Sequence, residues 1–129
     1  MIALETIGVA FAMFSALPVP KIEWNERNMR YAMAAFPLIG AVIGALWCVC
    51  GLMPLPEMVK AAGFCLIPVA VTGGIHLDGY ADTSDALSSY GDREKKLAIL
   101  KDPHCGAFAV IRLCSYFVAY FALCACIRF

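Results

Sequence analysis

Residues 72–85 read Thr72-Gly-Gly-Ile-His-Leu-Asp-Gly-Tyr-Ala-Asp-Thr-Ser-Asp85. The stretch closes an apolar run and then places Asp78, Asp82 and Asp85 at i, i+4 and i+7. On a helix these three carboxylates share one stripe. Like charges so placed repel, so a neutralising cation is expected. Clustered hard oxygens suit Mg²⁺ or Mn²⁺, ions that share carboxylates with substrate phosphates. Gly73, Gly74 and Gly79 permit close backbone approach by a bulky ligand. The competing reading is a solvated acidic helix start, since Asp is favoured near helix N-termini. The position of the stripe, at the end of a membrane-length apolar segment, argues against it.

Working back from this stretch, residues 58–77 (MVKAAGFCLIPVAVTGGIHL) read as a membrane span with Pro68 inside it and Gly73-Gly74 near its end. A broken helix at membrane depth is tolerated where it faces protein or a wet cavity. Residues 31–53 (YAMAAFPLIGAVIGALWCVCGLM) are a clearer span of 23 uncharged residues. Pro37 is expected to kink its start, and Gly40 and Gly44 form a G-x-x-x-G pattern that lets a neighbouring helix come close. Residues 2–17 are apolar with Glu5 the one charge, too short to span, and predict a helix half inserted or packed on the bundle. Pro18 and Pro20 end it. Its start lacks a basic region, and Leu17-Pro-Val-Pro20 is not a small-residue cleavage site, so a cleaved leader is not expected. Forward from the acids, 78–90 and 92–101 are polar and helix-compatible. Asp102-Pro103 stops the second of these, and 106–127 form a third span carrying Arg112. The fold expected is all-α: a polytopic membrane helix bundle, about three full transmembrane helices plus a short N-terminal helix, in one membrane domain over 1–129.

Composition agrees. Of 129 residues 62% are hydrophobic and 16% charged, with a mean hydropathy of +0.77. A soluble domain runs nearer a quarter charged. Formal net charge is zero, which leaves no basic footprint for nucleic acid. Six of the ten acids lie between 78 and 102, the polar head of an oily chain. The seven cysteines are odd in number and form no C-x-x-C pair, so they read as small buried hydrophobes. Basic residues flank the first span (Lys21, Arg27, Arg30) and follow the second (Arg93, Lys95, Lys96, Lys101). By the positive-inside rule both segments, and the acidic motif with them, face the cytoplasm, and the 54–57 turn faces outward.

Around the stripe, each polar residue carries two readings. Lys101 is a phosphate-binding point charge or one more cytoplasmic lysine; Asp102 is a fourth metal ligand or a cap. His76 would point away from the stripe on a continuous helix, as a hydrogen-bonded core histidine, unless the glycine break re-aims it toward catalysis. His104, near a boundary, reads as merely polar. Arg112 at membrane depth is costly, and is expected to reach an acid or a phosphate rather than snorkel. Such a set supports phosphoryl transfer, where charge on a diphosphate is neutralised and an incoming hydroxyl is aligned. A spare carboxylate accepts the hydroxyl proton.

The 72–85 stretch resembles the signature T-G-G-L/I-H-x-D-G-x-x-D-T-x-D of the cobalamin synthase (adenosylcobinamide-GDP ribazoletransferase) family. Three further stretches resemble the family's motifs in order. Residues 14–20 (FSALPVP) resemble its N-terminal T-R-I/L-P-V/L-P, with Ser15-Ala16 in place of Thr-Arg. Residues 36–44 match F-P-L-V/I-G-x-x-x-G, and 93–108 (REKKLAILKDPHCGAF) match R-x-x-K-L-x-I-M/L-K-D-x-x-x-G-A/S-F. The resemblance implies a Mg²⁺-dependent inner-membrane enzyme that joins adenosylcobinamide-GDP to α-ribazole, or its 5′-phosphate, and releases GMP. It implies Asp78, Asp82 and Asp85 as metal and catalytic residues, and Gly73, Gly74, His76, Gly79, Lys101, Asp102 and Arg112 around the substrates. It also implies the N-terminal half of a longer domain, so a C-terminal half or a second copy is the expected partner. Two alternatives stand beside it. One is another Mg²⁺-dependent membrane transferase, of the prenyl or CDP-alcohol kind, against which the Gly-Gly-Ile-His lead-in and Lys101-Asp102 argue. The other is a non-catalytic fragment or partner subunit.

Overall fold

A computed structural model describes residues 2–128, in which every regular element is a helix: α1 (Ile2–Phe14), α2 (Glu26–Met29), α3 (Ala32–Ala35), α4 (Pro37–Leu52), α5 (Glu57–Thr72), α6 (Ile75–Ser88), α7 (Arg93–Ile99) and α8 (Ala107–Cys124). The all-α membrane architecture expected from the apolar runs is what the chain adopts. Ala32–Leu52 and Ala107–Cys124 are each long and apolar enough to cross a membrane, and a bent pair, α5 with α6, makes a third if counted as one span. The two straight spans have only 11% of their residues buried within the chain. Val118 and Leu123 are 72% and 69% exposed. In water such surface would drive aggregation; in a bilayer it is ordinary lipid contact.

The central array is α4, α5 and α8, with α5 in the middle. α4 and α5 run antiparallel: Trp47 stacks on Phe64 at 5.3 Å and Cys50 Sγ donates to the Lys60 carbonyl. α5 and α8 are antiparallel too. Tyr120 donates to the Phe64 carbonyl at 3.5 Å, and Arg128 lies 3.9 Å from Glu57. Ala61, Phe64, Cys65 and Cys124 form the buried centre of this array. The directions place both basic segments, 21–30 and 93–101, at one end and the 53–56 turn at the other.

A second cluster, Val9, Ala10, Ala32 and Ala35, packs α1 against α3. Between them Asn25 and Asn28 cap α2 reciprocally, each side chain accepting the other's backbone N–H, at 2.9 and 3.0 Å. This unit is tied to the array where the Ala16 N–H meets the Val71 carbonyl at 2.8 Å and Phe14 meets Phe36 edge to face at 5.2 Å.

One sequence expectation needs correction. The second span does not run to residue 77. Gly73 ends α5 at φ +64°, Gly74 follows at φ +79°, and α6 leaves at 93° to α5. Two successive left-handed residues are readily adopted only by glycine, and here they turn a helix end into a corner. Pro68 lies inside α5, as expected, and the Thr72 hydroxyl donates to the Pro68 carbonyl within the final turn. Pro37, where a kink is expected, stands in the first turn of α4; Phe36 separates α3 from α4, and Ala32–Leu52 continue as one span. Gly40 and Gly44 meet no partner helix among the described residues: beyond their own stretch of helix nothing lies within 4 Å of where their Cβ atoms would be. The close approach is at Gly63 instead, where a Cβ would sit 2.6 Å from Cys50 Sγ.

Candidate functional site

The corner at Gly73-Gly74 lays α6 across the end of the array and gives it two faces. Successive residues turn by about 100°, so Tyr80 and Asp82 are about 200° apart. His76, Leu77 and Tyr80 look into one cavity; Asp78 lies on the other side. The carboxylate face begins with Asp78, exposed, in a hollow of about 410 Å³ with Gly73, Gly74, Ala81 and Cys105. Asp82 and Asp85 follow, both half-buried. The Asp85 carboxylate lies against Gly106, the residue before α8, in the space a Cβ there would fill. A negative group at that helix N-terminus is favoured by the peptide dipoles.

Among the described residues no three His, Cys, Asp or Glu side chains converge on a common point for a metal ion. Mg²⁺ keeps several waters and takes only one or two carboxylates together with substrate phosphates. Carboxylates at i and i+4 are neighbours on a helix, so Asp78 and Asp82 suit such a hydrated ion.

The other expected site residues scatter around this face. Asp102 is engaged locally: its carboxylate accepts the backbone N–H of His104 at 2.9 Å and meets the His104 ring at 2.6 Å. The backbone N–H first, and then the ring, hold its carboxyl below the usual carboxylate range. His104 is thus the cap partner of Asp102, a role its i+2 position allows. Lys101 is exposed, as are Gly79 and His76. A Cβ at Gly79 would meet nothing within 4 Å, leaving that turn of α6 open. Arg112 does not pair with an acid among the described residues. It lies in a hollow of about 590 Å³ with Ser88, Phe108 and Ser115, behind Tyr80 and Tyr116.

The opposite face of α6 roofs a cavity of about 520 Å³ that the sequence reading did not foresee. α5 is its floor (Pro68, Val69, Thr72), α4 one wall (Phe36, Gly40, Ile43) and α8 the other (Tyr116, Phe117, Tyr120). His76, re-aimed by the glycine corner, points here and not toward the acids, with its ring 5.7 Å from Phe36. The available signal was Tyr116 and Tyr120 at i, i+4 inside an apolar span, two polar-tipped rings on one face.

No solved structure matches the chain. Among curated proteins it is 49% identical to the adenosylcobinamide-GDP ribazoletransferase of Lachnoclostridium phytofermentans, over 93% of this chain and 48% of that protein. It is 42% identical to the enzyme of that name from Clostridium perfringens (92% and 49%) and 39% identical to that of Listeria monocytogenes (93% and 50%). The chain therefore spans about half the length of the curated relatives it matches. The family model described as cobalamin-5-phosphate synthase matches residues 6–128, and so takes in the glycine corner, the carboxylate face and all three array helices. On that match, the chain belongs to the cobalamin-5-phosphate synthase family.

Proposed function

We propose that this chain supplies the carboxylate-bearing part of an adenosylcobinamide-GDP ribazoletransferase. The acceptor is α-ribazole or its 5′-phosphate, and GMP is the leaving group. The observation that carries the reading is the corner at Gly73-Gly74, which presents Asp78, Asp82 and Asp85 on the face of α6 opposite the apolar cavity. In the reaction the ribazole 5′-oxygen bonds to the phosphorus that bears cobinamide. The bond from that phosphorus to the GMP oxygen breaks, and GMP leaves with the electron pair. A carboxylate of the stripe accepts the hydroxyl proton. Asp78 and Asp82 would hold Mg²⁺, with Asp85 completing the negative field, and a bound ion would supply charge neutralisation for the diphosphate. The open backbone at Gly74 and Gly79, with Gly73 forming the corner, admits the bulky diphosphate ester beside them. Lys101 and Arg112, cations without an acid partner among the described residues, bind its phosphate oxygens. The placement of both basic segments at the α6 end supports an inner-membrane orientation with the acids facing the cytoplasm. The relatives carry about as much chain again, and we propose that turnover requires that second half, in cis or as a separate polypeptide, with a homodimer the less economical arrangement.

The test is GMP release from adenosylcobinamide-GDP and α-ribazole by this chain joined to a relative's second half. Asp78→Asn and Asp82→Asn keep side-chain size and remove charge. Each should slow transfer well over tenfold, about 2 kcal/mol or more in the barrier. Near-normal turnover in both variants would remove the carboxylates from the mechanism.

A further inference from the structure

Resting on that reading, we propose that the cavity under α6 is the receptor for the aromatic base of the acceptor nucleoside. Ribazole carries a flat, bicyclic, largely apolar benzimidazole. The cavity is about 520 Å³, within the range of small-ligand sites. Its lining is aromatic on two sides, with Phe36 on one wall and Tyr116, Phe117 and Tyr120 on the other. Tyr80 and Tyr120 flank Tyr116 at 5.9 and 5.5 Å, a run of rings that offers faces and edges to a planar heterocycle. At its α6 end the His76 ring and the Tyr80 hydroxyl make no hydrogen bond to another group among the described residues, whereas the Thr72 and Tyr120 hydroxyls that also line it donate to the Pro68 and Phe64 carbonyls. The imine nitrogen of a benzimidazole accepts a hydrogen bond from either. The corrinoid is too large for this space, and guanine would leave its many donors and acceptors unanswered against an apolar wall. A lipid chain would fill the volume but has no use for the polar end.

The cavity also lies correctly for the chemistry. Leu77 lines both it and the hollow of Asp78, so one side chain separates base from carboxylates. A nucleoside with its base in the cavity would pass its sugar over Leu77, beside the glycine corner, and bring its 5′-hydroxyl to the acid side. Leu77 is in this sense a positioning residue.

The experiment is equilibrium dialysis of labelled α-ribazole against the 129-residue chain in lipid nanodiscs, without the second substrate. Binding is then read independently of turnover, so failure of the transfer reading and failure of this one are separable. Gly40→Leu projects a side chain into the cavity from a position with open space around it. Gly44→Leu alters the same helix face but lies outside the cavity lining. The expected result is saturable binding, displaced by free dimethylbenzimidazole and not by ribose. Gly40→Leu should weaken it about tenfold or more, with Gly44→Leu unchanged. His76→Phe, which keeps a ring and removes the polar tip, should weaken binding while leaving thermal stability in place. No binding, equal binding in Gly40→Leu, or displacement by oleate as readily as by dimethylbenzimidazole would each overturn the assignment.

Discussion

Gly73-Gly74 and Gly40/Gly44 are two glycine pairs at membrane depth, and the chain uses them in opposite ways. The first pair adopts φ of +64° and +79° and makes the 93° corner on which the carboxylate face depends. The second pair is helical, and among the described residues nothing beyond their own stretch of helix comes within 4 Å of a Cβ position at either glycine. A glycine selected for backbone conformation acts through its own φ and ψ, so its purpose is complete within the local sequence. A glycine selected for close packing acts through whatever packs on it. Its purpose is visible only when that partner is present.

The first pair should therefore be the less forgiving. Gly73 needs a left-handed backbone, and a Cβ there would also press on Ala16 at 3.1 Å. Gly73→Val adds a β-branched side chain to both problems. We expect a loss of about 3 kcal/mol, near the upper end for a strained backbone position. Denaturant-induced unfolding in detergent micelles would measure it. A variant with wild-type stability would mean that α5 and α6 can run on as one straight helix, and the contrast between the pairs would collapse.

A third glycine lies between these extremes. Gly63 is helical, like Gly40 and Gly44, but its face is occupied by Cys50 Sγ. Gly63→Ala should cost about 1–2 kcal/mol by overpacking, tempered because a thiol can rotate away. Cys50→Ala in the same chain should return most of that loss. Failure of the double variant to recover would show that backbone, not the thiol, sets the α4–α5 separation.

The same distinction explains what was legible in the sequence. Span positions followed from apolar run lengths, and α7 from the polar, helix-compatible stretch 92–101, which the structure caps with the Asp92 side chain accepting the Lys95 N–H. The Asp78, Asp82, Asp85 stripe followed from helical spacing alone. The corner was legible as a break but not as a right angle, because no single-sequence signal separates a helix that is weakened at two glycines from one that turns there. Gly63 and the aromatic cavity were not legible, since both are properties of helix pairs: Phe36, Val69 and Tyr116 come together only through the α4–α5–α8 register. His76 was ambiguous for the same reason. Its direction depends on the corner before it, and the corner sends it to the cavity.

The smallest expected effect carries a change of sign. In the isolated chain Gly40 and Gly44 have helical backbone and open surroundings, so alanine adds helix propensity and meets no obstacle. Gly44→Ala should stabilise the chain by about 0.5–1 kcal/mol, the ordinary helix-interior difference between the two residues. If another transmembrane helix packs on this face in the complete enzyme, the same methyl group holds two backbones apart. The variant should then weaken association with the second half while still stabilising the chain alone. Both quantities are measurable on one preparation, as unfolding of the 129-residue chain in micelles and as its affinity for the separately purified second half. Stabilisation in both settings would show that the face meets only lipid. Destabilisation of the isolated chain would show that a contact already exists there, contrary to the open geometry at Gly44.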